Sequence, residues 1–469
     1  MRVLFFLSVV PGLVAASAAL SFSSPLTHEG KSIVSNKKVV VVGGGPVALY
    51  FAALMSHLDP TVQIEILEKR TQPSVNAFGL GVSKRMQHRL RDVPGLLEQA
   101  IAISAPIDAL GIPLVSRDDL TQQMGSFVSD NFGKNCRLAL GEECTSVDFE
   151  GKTVTTGSGR VLKYDLLLGA DGVNSKIRQW LIEDSGDDDI KEEHYLEDAY
   201  WKTLQLPKQP DIEAGSFKPL HHPSLGGGRV LPKAPEGHIL LLFWTDKQRN
   251  YGNIENPKGI ETVDDLKQMI MEAMQDKKKS GIFSNIQRKL LGINKGENIK
   301  KDRQVVFNEV ALSEFLSAHA GRSHHLQVNK YHSNRGSVAL IGDSAHAFNS
   351  LLGQGCNTGL QSTHALVESL MRSNSTLEDA MEDYTAKATK ESYAITELSL
   401  INYAIKGGFM MTLRVVPLIL WNMLRGRGLI KRIEDVSVPF SQIAAENKQL
   451  LKLCRRQFQK KRRPYSRDN

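Results

Sequence analysis

The residues with the clearest chemical content sit where β-branched runs give way to glycine. Lys38–Val42 is such a run, and Gly43-Gly44-Gly45-Pro46-Val47-Ala48 follows it directly. Glycines and a small residue at this spacing fit GxGxxG/A between a buried strand and a helix, the arrangement that receives a dinucleotide. Gly43 permits the tight turn, Gly45 lets a pyrophosphate reach the backbone, and Ala48 keeps the helix expected over 47–58 close to the sheet. Free N–H groups at the start of that helix meet the phosphate charge. A second strand, expected over 63–67, ends at Glu68. Its carboxylate can accept hydrogen bonds from ribose hydroxyls and would repel a 2′-phosphate, which points to FAD or NAD rather than NADP.

Two later segments repeat the pattern. Leu166-Leu167-Leu168-Gly169-Ala170 delivers Asp171-Gly172 to a turn, with a helix expected behind it. Val338-Ala339-Leu340-Ile341 delivers Gly342-Asp343, and Gly353-Gln354-Gly355-Cys356-Asn357 leads into another helix. Ligands in open α/β sheets sit beyond the carboxyl ends of the strands, so these loops can converge on the first. Asp343 can hydrogen-bond the hydroxyls of a ribityl chain. N–H groups around Gly355 and Asn357, at a helix start, can stabilise negative charge on a reduced isoalloxazine ring. An acid-glycine pair alone is an ordinary β-turn; three at successive strand ends, in this order, favour FAD.

The elements that must position these loops belong to an ordinary globular chain. With 469 residues, 41% hydrophobic and 23% charged, the composition excludes a disordered or polytopic membrane protein. Four scattered cysteines without a CxxC pair exclude a disulfide scaffold and argue against structural zinc. The His221-His222 and His324-His325 pairs lack partners at metal-ligand spacing, so no metal is expected. The net charge of +7 comes largely from residues after Arg425, which describes a tail more than a fold. Residues 1–19 combine one basic residue, an apolar run and Ala16-Ser17-Ala18, as a signal peptide does. Residues 20–36 are Ser-rich and poor in acids, like a transit segment or a plain linker. Entry into the secretory route is therefore expected, with a plastid or the ER membrane as open destinations.

Together the three segments resemble the flavoprotein monooxygenases of the para-hydroxybenzoate hydroxylase fold, and within them kynurenine 3-monooxygenase. GDSAHAFNSLLGQGCNTGLQS (342–362) is similar to that family's GDAAHA…P.FGQG.N.GFED, and AITELSLINY (394–403) to its AISDLS..NY. The resemblance spans about residues 38–425, with gaps. It implies an α/β fold: a Rossmann-like FAD-binding domain (37–190 and 325–370), an inserted mixed α+β substrate domain (191–324), and C-terminal helices (371–447) before a basic tail (448–469). It also implies that Arg85 binds a substrate carboxylate, Arg117 contacts FAD, Cys356 and Asn357 lie beside the flavin, and Asn402 contacts substrate. A guanidinium suits the carboxylate task because it can bind in a two-nitrogen fork. Ser350 stands where the family has a proline, Ser362 replaces its usual aspartate, and its two pocket tyrosines have no clear match.

Within the inserted domain, strands are expected at His238–Trp244 and over 304–310, and a helix over 262–279. The apolar stretch 404–424 carries Lys406, Arg414 and Pro417, too much interruption for a membrane span. Flanked by basic residues, it suits either peripheral contact with an anionic membrane or a helix capping the substrate domain. Without interleaved aromatics, nucleic acid is not expected. The resemblance implies an FAD-dependent monooxygenase that takes NADPH or NADH as a transient co-substrate, O2, and a small, carboxylate-bearing, kynurenine-like aromatic. No side chain need act as the catalytic group, because the flavin supplies that chemistry. Two alternatives stay open: a reductase or epoxidase of a lipid or isoprenoid, and an FAD-binding protein that has lost hydroxylation.

Overall fold

The structure, a computed structural model, describes residues 31–72, 79–107, 112–186, 189–210, 212, 215, 218–249, 255–275, 305–349, 352–372, 376–401 and 409–465. The signal-peptide segment, Ser350 and Asn402 lie outside the described residues.

Lys38–Val42 forms the middle of a five-stranded parallel sheet. The order is Val338–Leu340, Leu166–Gly169, Lys38–Val42, Gln63–Glu68, Cys136–Leu140. Val39 to Val42 are buried, as the continuous β-branched run requires of a strand covered on both faces. The helix after the glycines spans Pro46–Leu58, starting one residue before the expected limit because Pro46 fits the first helical turn. Helix Gly355–Leu370 crosses it closely: a Cβ at Gly359 would lie 2.6 Å from Val47 Cγ2. Helix Leu377–Ser399 backs this pair, and its Tyr384 donates to the Leu340 carbonyl at 2.7 Å.

A second, antiparallel sheet runs Lys218–Leu220, Gly227–Pro232, His238–Trp244, Glu192–Leu206, Gly321–Val328, His346–Ala347. Alternation gives it two distinct faces. Tyr200, Leu204, Val230, Leu240, Leu242 and Trp244 pack with helices Val263–Gln275 and Glu309–Ser317. Leu231, Ile239 and Leu241 share the other face with Trp201 and Phe243, and they pack on Ile107 and Leu114 from the half of the chain that holds the parallel sheet. Gly321–Val328 crosses the limit expected at 324/325, and His346–Ala347 joins this sheet from well beyond it.

Two expectations fail here. Residues 305–308 form no strand; Asn308 caps helix Glu309–Ser317, its side chain accepting from the N–H groups of Val310 and Ala311. A short apolar run suits either element, and the Asn cap decides it. The basic tail is also no loose end. Lys448–Lys461 is a helix that buries Leu450, Leu451, Cys454 and Phe458 against the other C-terminal helices. Arg463–Pro464 then pairs with Tyr195 and Leu196 of the second sheet. Its amphipathic spacing was masked in the sequence by the density of basic residues on the outer face.

Candidate cofactor site

A cleft of about 320 Å³ opens at the carboxyl ends of the parallel strands. Gly43, Gly45, Glu68, Arg117, Asp171 and Gly172, all expected from the sequence, line it together with Arg70, Lys176 and Trp180. Gly43 has φ +103°, and a Cβ there would lie 2.3 Å from the Ala170 carbonyl oxygen, so no side chain fits this turn. At Gly45 a Cβ would meet nothing within 4 Å. The open side of the turn is therefore the side a phosphate would approach, at the start of helix Pro46–Leu58. Ala48 is buried inside that helix, facing the core rather than the cleft.

Glu68 sits at the end of its strand, nearly buried. One carboxylate oxygen accepts from Gly44 N–H at 2.8 Å, and the other from Arg70 N–H at 2.9 Å and Nε at 3.0 Å. Burial works to raise its pKa, but the hydrogen bonds from Arg70 and Gly44 outweigh it and hold the carboxyl below the usual value. The acid thus braces the glycine turn while facing the cleft.

The Asp171 carboxylate is spent within the protein. It accepts from Ser175 Oγ at 2.5 Å, Ser344 Oγ at 3.1 Å, Lys176 N–H at 2.7 Å and Ile177 N–H at 3.2 Å. Gly172 N–H in turn donates to Ser344 Oγ at 2.9 Å. The second and third loops are therefore tied directly together. Arg178, which the sequence did not single out, completes the knot. Fully buried, it donates to the carbonyls of Ser344 (2.9 Å) and Val173 (2.8 Å) and to Glu192 Oε2 (2.7 Å) on the long strand of the second sheet. An arginine in the first turn of the helix that follows the acid-glycine turn was the available signal.

In the third loop, the Asp343 side chain is accessible to solvent with protein packed around it. Burial pushes that carboxyl above the usual range against the pull of Arg117. Cys356 lies near both, its thiol pushed up to about 12 by burial. Arg117, Asp343 and Cys356 come from three separate elements and converge, as expected. Gly342 instead packs its backbone against Val47. Gly353 has φ +62° and lets the chain turn into helix Gly355–Leu370. Asn357 Nδ2 donates to Gln354 Oε1 at 3.0 Å, and Gln354 Nε2 donates to Glu434 Oε1 at 2.9 Å.

These features fit FAD: a turn open where a pyrophosphate belongs, an acid at the ribose end, and a solvent-accessible Asp343 close to Arg117 and to Cys356 at the start of a helix. Arg85 is placed differently from its expected role. It is buried, and it donates from Nε to the Ile433 carbonyl at 2.5 Å and from Nη2 to those of Asp435 (2.7 Å) and Val438 (2.5 Å). Its guanidinium stacks 4.2 Å from the Phe440 ring centre. No sequence signal pointed to this, because the partners are backbone carbonyls some 350 positions away.

Known proteins agree with this geometry. Residues 294–399 match the family described as FAD binding domain. The chain has the fold of the FAD-dependent monooxygenases of the para-hydroxybenzoate hydroxylase type, and the family match adds FAD binding to that likeness. A kynurenine 3-monooxygenase of Aspergillus candidus is 23% identical over 431 residues, covering 79% of this chain and 78% of its own length. A violacein synthase of Chromobacterium violaceum is 22% identical over 413 residues, covering 79% and 86%. Among solved structures, 2-methyl-3-hydroxypyridine-5-carboxylic acid oxygenase superposes with a TM-score of 0.54 at 18% identity, over 77% of this chain and 90% of that one.

Proposed function

We propose that the protein is an NAD(P)H-dependent FAD monooxygenase that hydroxylates a small aromatic ring. The observation that carries this is the FAD cradle at the carboxyl ends of the parallel strands, joined to a second sheet that packs on the same half of the chain through Leu231, Ile239 and Leu241. The N–H groups of the glycine turn would hold the pyrophosphate, Glu68 a ribose, and Asp343 the ribityl hydroxyls. The N–H groups that open helix Gly355–Leu370 would face the ring, where they favour negative charge. When bound, FAD supplies the reduction and oxygen activation; the chain orients it and keeps bulk water away. Nicotinamide visits transiently, since the chain holds a single dinucleotide turn. The names of the relatives support an aromatic, kynurenine-like substrate, whereas the filled donors of Arg85 speak against a carboxylate held there.

NADPH and NADH oxidation by the FAD-loaded protein, across a panel of aromatics with hydrogen peroxide followed alongside, tests this. Hydroxylated product with little peroxide is expected. Peroxide alone, or no substrate-stimulated oxidation, refutes hydroxylation.

Peripheral membrane contact and secretory entry belong to the same proposal. Helix Phe409–Leu424 exposes Leu420, Trp421 and Leu424, with Arg425 stacked on Trp421, which suits an anionic surface. Among the described residues, no helix is long and apolar enough to cross a membrane. Flotation with anionic vesicles tests the contact, and the mature N-terminus tests the leader.

A further inference from the structure

A second cavity, also of about 320 Å³, shares no lining residue with the cofactor cleft. Three helices wall it: Lys84–Leu90, one face of Gly355–Leu370, and the middle of Leu377–Ser399. Ala365, Ala388, Val436 and Pro439 give it an apolar lining that suits a small organic body, which polar groups on the wall must then orient.

The charged groups on this wall differ in how far the chain itself uses them. Arg85 has three donors on backbone carbonyls, and Glu391 lies close enough to offset its charge. Glu391 in turn accepts from Phe440 N–H and Ser441 Oγ. Lys387 and Glu368 pair with each other at 3.0 Å. Arg89 is the exception. It is only 8% exposed, yet among the described residues its guanidinium makes no hydrogen bond. Its ion-pair partner is Asp92, with Nη1 3.4 Å from Oδ2. That oxygen already accepts from Tyr50 OH at 2.8 Å and lies 3.7 Å from His364 Nε2. Buried polar groups are hydrogen-bonded as a rule, and a guanidinium carries five donors in a planar fork. Arg89 thus brings to the cavity wall a set of donors that the described residues leave without acceptors.

The neighbours set the charge of the missing acceptor. Lys390, exposed at the rim, has no ion pair among the described residues. His88 and His364 are neutral at pH 7, because burial holds both below the ordinary histidine value. With Arg85 offset by Glu391 and Lys387 by Glu368, the cations left on the wall are Arg89, whose Asp92 is shared, and Lys390. A group with two anionic oxygens matches the fork and answers both.

The geometry points to a second ligand site, separate from the cofactor cleft, that takes a small organic acid: its carboxylate or phosphate is held by Arg89 with Lys390 at the rim, and its apolar body lies among Ala365, Ala388, Val436 and Pro439. The site does not depend on the monooxygenase assignment.

The test uses the full-length FAD-loaded protein and three probes with one aliphatic chain: hexanoate, hexyl phosphate and hexanol. Lacking a ring, they do not report on a site for aromatics. Binding is followed by ligand-detected NMR, which reads weak affinities. At least one of the two acids should bind about tenfold or more tightly than hexanol, the scale of one charge-assisted hydrogen bond, and the tighter of them names the head group. Arg89→Gln should bring that acid to the level of hexanol. Acids that bind no better than the alcohol, or an advantage that survives Arg89→Gln, would overturn the proposal. If Arg89→Gln does not fold, Lys390→Glu at the exposed rim decides in its place: the acid should weaken by about tenfold while hexanol is unaffected, and an unchanged acid affinity is the contrary result.

Discussion

Replacing Glu68 separates its two tasks, bracing the glycine turn and receiving the nucleotide. In the structure its oxygens take three hydrogen bonds, from Gly44 N–H, Arg70 N–H and Arg70 Nε. Alanine leaves the Gly44 N–H without its acceptor in a nearly buried place, at about 1–3 kcal/mol. Arg70 is half exposed and recovers water, so its share is small. A ribose hydroxyl that loses the same acceptor costs a further 1–3 kcal/mol or so, roughly a 5- to 150-fold rise in the FAD Kd. Glu68→Gln should be no milder, because its amide turns an N–H toward Gly44 N–H or the guanidinium. The folded carboxyl is held below its usual value, so its contribution is complete above about pH 4.5 and is lost as the pH falls below that. FAD affinity should therefore be flat from pH 8 to pH 5 as far as Glu68 is concerned. The assay is reconstitution of apoprotein followed by quenching of flavin fluorescence, with the apoprotein melting temperature measured in parallel. A Glu68→Ala protein that melts lower but binds FAD within twofold of wild type would show that the acid only braces the turn.

Gly43→Ala should weaken FAD retention by about tenfold or more, because the left-handed conformation and the 2.3 Å approach to Ala170 O leave only backbone to move; flavin content after purification reads it, and an unchanged content is the contrary result. Deleting 448–469 removes buried Leu450, Leu451, Cys454 and Phe458, so Tm should fall by roughly 5 °C or more, since each such side chain contributes about 1.5–3 kcal/mol. An unaltered melting curve would show that this helix is dispensable. Buried His325, His332 and His346 have pKa values lowered to about 4, and His364 to about 3, burial being the first cause in each. These depressed values stabilise the fold fully above about pH 6.5, and the benefit is lost as the pH falls toward 4, on the order of 3 kcal/mol for each histidine. Cooperative unfolding between pH 6 and 4 is expected by circular dichroism; a native signal persisting at pH 4 contradicts it.

The parallel sheet and its three loops were legible because their signals are local. Strand Lys38–Val42 and strand His238–Trp244 lie where the β-branched and apolar runs put them, Glu68 and Arg117 line the cleft from a strand end and a helix start, and Asp343 lies close enough to Arg117 to feel its charge. What the sequence hid depends on distant partners. The carbonyls that hold Arg85 carry no side-chain signature, and Arg178 is recognisable as a staple only once Val173, Ser344 and Glu192 are seen around it. The tail helix read as a charge run because its apolar face has only four buried positions among many basic ones. Asn402 and Ser350 lie outside the described residues, so their expected roles stand as sequence expectations alone.

The way the two sheets borrow strands has a consequence for synthesis on the ribosome. Val338 pairs with Leu167, 171 positions earlier, and Arg463 pairs with Leu196, 267 positions earlier. While the second sheet is being made, strand Leu166–Gly169 waits with one edge bare, its N–H and C=O groups free to recruit another chain. Asp343 and the helix that would face the ring emerge later still. Nascent chains stopped before residue 338 therefore lack Asp343 and carry an open edge, the kind of exposed strand that invites aggregation and chaperone cover when translation stalls.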